Sequence, residues 1–194
     1  MDTELTAAKA ALRNRLCAAL KTISPGARAF ASAQACDRLQ TQPIWKSARA
    51  VLFFAPLPGE LDLWPLLLEA LAEGKAVALP RFASHSQTYG AARIQDLRGD
   101  LHTGRYNVRE PAAHCAEIPR EQLDLVLVPG LAFDLRGGRL GRGRGFYDRL
   151  LAGIRGLKCG VAFDEQIVEE VPTADHDARM DFVLTPTRWV KTGD

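Results

Sequence analysis

Residues 139 to 151, RLGRGRGFYDRLL, place three arginines and three glycines in seven positions and then turn apolar at helical spacing. Arginine carries a permanent fork of donors suited to phosphate or carboxylate. Glycine lets successive backbone N–H groups approach such an anion closely. Glycines 137, 138, 141, 143 and 145 recur through the segment, and the helix that follows adds the partial positive charge of its N-terminus. The chemistry on offer is the binding of a polyphosphate. Asp148 falls in the first turn of that helix, where a carboxylate serves either as a dipole partner or as a metal ligand. A second acidic group, Asp175-His176-Asp177 with Asp181, precedes a final apolar run. Two separated carboxylates beside phosphates are what Mg²⁺ takes from a protein. The same Gly/Arg loop also reads as a solvated surface turn, and only its place between a strong strand and a strong helix favours the anion site.

Other candidates lie far away in the chain. Lys9 and Arg13 are four apart, hence on one helix face, as cation ligands or as solvated surface. Glu60 follows Pro-Leu-Pro-Gly at a strand end and points either into a ligand crevice or to solvent. Tyr106 and Phe146 offer rings for stacking or for core packing. The loop lacks both the GxxxxGK of a P-loop and the acidic residue about twenty positions on that a Rossmann dinucleotide site uses.

The whole chain narrows the classes. It has 194 residues, 47% hydrophobic and 25% charged, with a net charge of +2. Between Asp134 and Arg149 five arginines face two aspartates, so the rest of the chain is close to neutral. Charge concentrated in one loop argues for a small anion and against an RNA-binding face, which needs a broad basic surface. Cys17, Cys36, Cys115 and Cys159 form no metal-ligand spacing and read as free thiols of a reducing compartment. The opening residues lack the apolar segment of a signal peptide, and no run approaches a membrane span. The expectation is a cytoplasmic protein without membrane or nucleic-acid partners.

These residues need a scaffold. Apolar residues at three- and four-residue steps over 4–21 predict an amphipathic helix, and Ser24-Pro25 starts a second that runs to about 39. Runs 51–56, 61–74 and 75–81 predict a βαβ unit, and 123–130, 158–163 and 181–186 predict further buried strands. Residues 131–144 read as one loop, followed by a helix from about 145 to 154. From 82 to 119 only a short strand at 92–95 is suggested. The fold class is α/β: a three-layer, mainly parallel sheet flanked by helices, with an N-terminal helical arm at about 4–40 and a core at about 48–190 of a single domain. Ligands of such sheets bind beyond the carboxyl ends of the strands. The loops after 56, after 130 and after 163 lie there.

The string LVLVPGLAFDLRGGRLGRGRGFYDRLL closely resembles the signature of the 5-formyltetrahydrofolate cyclo-ligase family. The likeness extends to Lys9-x-x-x-Arg13, FFAPLPGELD, GKAVALPR and EEVPTADHDARMDFVLTP. It implies an architecture related to sugar-phosphate isomerases and CoA-transferases. It also implies an ATP-dependent cyclisation of 5-formyltetrahydrofolate to 5,10-methenyltetrahydrofolate by a monomer whose partners are reduced folate and ATP, with Mg²⁺. By position, Lys9, Arg13, Arg139, Leu140, Gly141, Arg142, Gly143, Arg144, Gly145, Phe146 and Tyr147 would meet ATP, and Arg142 and Arg144 would be catalytic. Ala55, Glu60 and Tyr106, with Arg142 to Phe146, would meet the folate, and Asp148 and Asp177 the metal. The chain departs from the pattern at Phe146, where relatives often carry Tyr, at Arg144, where they carry Lys or Gly, and at Tyr106, where they carry Trp. A non-catalytic nucleotide-binding module remains the other class open at this point; intact metal carboxylates speak against it.

Overall fold

Leu12, Leu16 and Leu20, four apart, form the buried stripe of the first helix, α1 (Asp2–Lys21), because that step keeps side chains on one face. The structure, a computed structural model, describes residues 2–83, 88–104, 107–174 and 177–193. The second helix, α2 (Pro25–Gln40), starts where the sequence predicts: Ser24 accepts the Ala27 N–H at 3.2 Å, and proline takes the first turn, where no backbone donor is needed. A short α3 (Pro43–Ser47) leads into β1 (Ala50–Leu52), α4 (Trp64–Ala72) and β2 (Ala76–Ala83), the βαβ unit of the sequence. There follow β3 (Thr88–Ile94), β4 (Leu101–Thr103), β5 (Arg109–Pro111), β6 (Leu125–Pro129), β7 (Ala132–Phe133), β8 (Arg139–Leu140), α5 (Phe146–Leu151), β9 (Leu157–Val161), β10 (Phe182–Leu184) and β11 (Trp189–Lys191).

Among the described residues the main sheet has seven strands in the order β11-β10-β9-β6-β1-β2-β3. The five inner strands are parallel, and the two edges, β3 and β11, are antiparallel to their neighbours. Successive strand residues point to opposite faces, and both faces are apolar. Val51, Val77, Leu125 and Leu127 join Leu39, Trp45 and Leu66 from α2, α3 and α4. Leu52, Ala78, Val126 and Val128 join Leu150 and Leu151 from α5. A parallel sheet needs this cover on both sides. At one end, Leu12 and Leu16 of α1 pack on Ala132, Leu140 and Val171. No helix among the described residues is long and apolar enough to cross a membrane, and Cys36, Cys115 and Cys159 are buried free thiols, with burial pushing Cys36 up to about 11.

Three segments differ from the sequence expectation. Residues 82–119 hold β3, β4 and β5; β2 and β3 pair from Val77 opposite Ile94 out to Ala83 opposite Thr88. The outer half of that ribbon is only half-buried, so it lacks the alternation by which a strand is recognised. Residues 131–144 are not one open loop. Asp134, 3% exposed, accepts the N–H groups of Arg136 and Gly138 on Oδ1 and of Val171 on Oδ2, and Gly137 turns at φ 89°, which closes the β7–β8 hairpin. The helix after it ends at Leu151 rather than 154, because Gly153 takes φ 83° and Arg120 caps the Ala152 carbonyl at 2.7 Å.

The β4–β5 hairpin is a separate two-stranded piece, and Asp100 ties it to the sheet. Its Oδ2 accepts the Gln95 and Asp96 N–H groups at 2.6 and 3.0 Å, its Oδ1 meets His114 Nε2 at 2.9 Å, and its carbonyl accepts from Ala112. The Gln95 N–H first, then His114 and the Asp96 N–H, hold the carboxyl down to about 2 from its ordinary 3.8. A depressed carboxyl adds stability above its ordinary value and loses it as pH falls through the lowered one. Asp100→Asn is therefore expected to melt below the wild type at neutral pH, with the gap closing as pH falls from about 4 towards about 2. Paired thermal melts across that range check it; a gap that stays constant with pH would refute it.

Candidate active site at the carboxyl ends of the strands

A cavity of about 340 Å³ opens beyond the ends of β1 and β6, where a doubly wound sheet places its ligands. Ala55, Leu57 and Glu60 wall it after β1, and Pro129 and Gly130 at the end of β6. Residues 139–148 cross it, α1 lends Lys9 and Arg13, and the β4–β5 hairpin lends Val108, Arg109 and Glu110. Every residue that the resemblance assigns to the site borders this cavity except Tyr106, which lies outside the described residues, as do Asp175 and His176; Gly137, Gly138 and Asp181 do not border it. The stretch immediately after Phe163 does not border it, although a strand ends there.

Bordering the cavity is not the same as facing a ligand, and several roles change. Arg139 is not a mobile fork: its side chain is 3% exposed and its Nη2 binds Asp148 Oδ1 at 2.7 Å, while Nη1 donates to the Pro129 carbonyl. Arg139 is a buried cation that fixes Asp148. Leu140 contributes backbone only, since its side chain is buried with Leu12 and Leu16 and its carbonyl accepts from Leu131. Gly137 and Gly138 belong to the hairpin turn, not to an anion cradle; a Cβ on Gly138 would stand 2.4 Å from Asp134 Oδ2. Asp181 also leaves the acidic group, because its Oδ2 accepts the Lys158 N–H at 2.7 Å and serves β9.

The exposed part of the Gly/Arg segment at the cavity shrinks to 141–145. Gly143 and Gly145 take φ 92° and 62°, which bends the chain between β8 and α5. Arg13 Nε donates to the Gly141 carbonyl at 3.0 Å and lies against Gly143, so α1 holds the loop down. Lys9 Nζ binds Asp177 Oδ2 at 2.5 Å, and the Ala174 N–H shares that oxygen. Asp148 and Asp177 are therefore both cavity carboxylates steadied by a basic side chain. As hard oxygen donors, they fit a magnesium ion that completes its shell with water and phosphate.

Arg142, half-exposed, reaches across the cavity to Glu60, with Nη2 to Oε1 at 3.0 Å over 82 positions of sequence. Glu60 Oε2 accepts the Leu57 N–H at 2.9 Å. Burial raises the Glu60 carboxyl, and the Leu57 N–H and the Arg142 charge oppose that rise. Burial likewise pushes the Tyr147 hydroxyl up, against the pull of Arg139, so this phenol stays neutral. The Phe146 ring lies 5.2 Å from Tyr89 and 6.2 Å from Phe82, and Arg149 sits 5.2 Å over it. The ring packs edge-on into an aromatic wall with Tyr89 and Phe82. Tyr89 and Glu110, in the segment without clear periodicity, carry no spacing signal that would have marked them as cavity residues.

Residues 5–186 match the sequence model of the 5-formyltetrahydrofolate cyclo-ligase family. The 5-formyltetrahydrofolate cyclo-ligase of Escherichia coli strain K12 is 32% identical over 172 residues, covering 87% of this chain and 94% of that protein. That of Mycolicibacterium smegmatis is 35% identical over 158 residues, covering 74% and 77%. The solution structure of Aquifex aeolicus 5,10-methenyltetrahydrofolate synthetase superimposes with a TM-score of 0.86 at 32% identity, over 96% of this chain and 93% of that one. The Mycoplasma pneumoniae 5,10-methenyltetrahydrofolate synthetase, 16% identical with a TM-score of 0.73, shares the fold. With a match across nearly its whole length, this chain belongs to the 5-formyltetrahydrofolate cyclo-ligase family.

Proposed function

We propose that the chain catalyses the ATP-dependent cyclisation of 5-formyltetrahydrofolate to 5,10-methenyltetrahydrofolate, with release of ADP and phosphate. The observation that carries this reading is that one cavity gathers a glycine-bent loop bearing Arg142 and Arg144, the cations of α1, two steadied aspartates and the buried Glu60. In this reaction the formyl oxygen takes the γ-phosphoryl group, and N10 then attacks the activated carbon with phosphate leaving. Phosphoryl transfer asks a protein for positioning and charge neutralisation more than for a nucleophile.

The residues divide accordingly. Arg142 and Arg144 neutralise charge on the transferring group, and the backbone from Gly141 to Gly145 lies against the phosphates. Lys9 and Arg13 bring α1 to the nucleotide. Glu60, beside Ala55, accepts from the amino-pyrimidine edge of the folate, and the wall of Tyr89 and Phe146 packs against its rings. Asp148 and Asp177 would hold Mg²⁺, which when bound spreads the negative charge of the phosphates. On this reading the chain is a cytoplasmic monomer acting on small molecules.

The test is optical. Mixed with 5-formyltetrahydrofolate, ATP and Mg²⁺, the protein is expected to raise the near-ultraviolet absorbance of the methenyl product, and a chelator in excess over the metal is expected to stop the rise. No rise from folded protein at high concentration would overturn the reading.

A further inference from the structure

Glu110 stands in the middle of β5, is 5% exposed and borders the cavity. Its Oε2 accepts the Phe82 N–H at 3.2 Å, whereas its Oε1 has no partner. Among the described residues, the buried side-chain polar atoms in that condition are Glu110 Oε1 and two guanidinium nitrogens, Arg28 Nη1 and Arg139 Nε. Buried oxygens are rarely left so, because the lost hydration is not returned until a donor arrives. Space for this carboxylate depends on Gly104, across the hairpin: a Cβ there would stand 2.6 Å from Glu110 Cδ and 2.9 Å from Oε1. The other cavity carboxylates are differently employed. Glu60 uses both oxygens on Leu57 and Arg142, Asp148 binds Arg139, and Asp177 binds Lys9.

Cyclisation as read above has a proton to dispose of. N10 forms a bond to the formyl carbon, the bond from that carbon to the phosphate oxygen breaks with its electron pair leaving on phosphate, and N10 must shed its hydrogen. We propose that Glu110 is a catalytic base of this step, a role that rests on the cyclo-ligase reading. The N10–H bond breaks, its electron pair stays on nitrogen, and an O–H bond forms at Oε1; water later carries the proton away. A carboxylate is base enough, because N10 bears an aromatic ring and, once it has attacked, is far more acidic than an alkylammonium. The arginines around the cavity cannot take a proton at all. Charge on the phosphate is thus handled by guanidinium groups and the proton by the hairpin opposite them.

The experiment compares Glu110→Gln and Glu110→Ala with the wild type, each checked for a native melt. In the Gln variant kcat for methenyl formation is expected to fall about 100-fold or more, the usual worth of a positioned base, while KM for 5-formyltetrahydrofolate moves less than about threefold. In the Ala variant, added formate is expected to restore part of the lost kcat by occupying the vacated space, which a merely structural residue would not allow. Gly104→Ala, which displaces the carboxylate without removing it, is expected to lower kcat in the same direction. A folded Gln variant with wild-type kcat overturns the proposal, and so does a raised KM at unchanged kcat, which would mean that Glu110 only grips the substrate. An inactive wild type would instead overturn the cyclo-ligase reading itself.

Discussion

Asp148→Ala is expected to abolish turnover and at the same time to lower stability by about 3 kcal/mol, a drop of about 10 °C in the thermal midpoint. The double effect follows from Arg139. Its guanidinium is buried, and its Nε is already without a partner, so the bond from Nη2 to Asp148 is what balances its charge. Removing the carboxylate leaves a cation inside the protein with the Pro129 carbonyl and the face of the Tyr147 ring, but no anion, to meet it among the described residues. Removing both charges is different: Arg139→Met with Asp148→Leu is expected to recover most of the stability and none of the activity, because an apolar pair carries no stranded charge. Calorimetry of the single and double variants, beside the absorbance assay, checks this. If Asp148→Ala melted like the wild type, the ion pair would not be structural. The sequence alone makes Asp148 look like a ligand residue that the fold can spare; the geometry adds a structural role, as the partner of the buried Arg139.

Arg142→Ala is expected to do nearly the opposite, lowering kcat/KM by about 10³-fold, the cost of losing a charge-stabilising donor in the transition state, with a stability change of only about 0.5 kcal/mol. Arg142 is half-exposed and its partner is one carboxylate oxygen, so little folding energy rests on it. Arg142→Lys keeps the charge and loses the fork, and it is expected to fall between the two. Steady-state kinetics against both substrates, with melts of the same preparations, decide it. A large loss of midpoint in Arg142→Ala would mean that the contact with Glu60 holds the loop in shape rather than waiting for a ligand.

What could be read from residues alone followed from how regular their surroundings are. Inner strands such as Leu125–Pro129 announce themselves, because a strand covered on both faces must be apolar throughout. The Ser24-Pro25 start of α2 is equally plain, since capping is a local event. Segments stabilised by distant partners left no such trace. The β7–β8 hairpin depends on Asp134 reaching Val171, and the β2–β3 ribbon runs out past the core. The same contrast holds at the site. The Gly/Arg spacing pointed to the anion loop, but which arginine is buried and which is exposed depends on packing between β8, α5 and β6, and no spacing encodes that. Glu110 was invisible for the same reason, as its significance lies in a buried oxygen without a hydrogen-bond partner.

The docking of α1 has a consequence for how the protein is made. Lys9 meets Asp177 across 168 positions, and Arg13 meets Gly141 across 128. On a ribosome the first helix emerges with its cations long before their partners exist. The sheet strands β1, β2 and β6 have most of their neighbours by then, yet the cavity has one wall missing until the stretch around Asp177 has cleared the exit tunnel. A chain stopped short of that point keeps a large apolar sheet and the arginine loop but not the closed pocket. Completion of the site thus waits on the synthesis of the stretch around Asp177, long after α1 and the strands β1, β2 and β6 have been made.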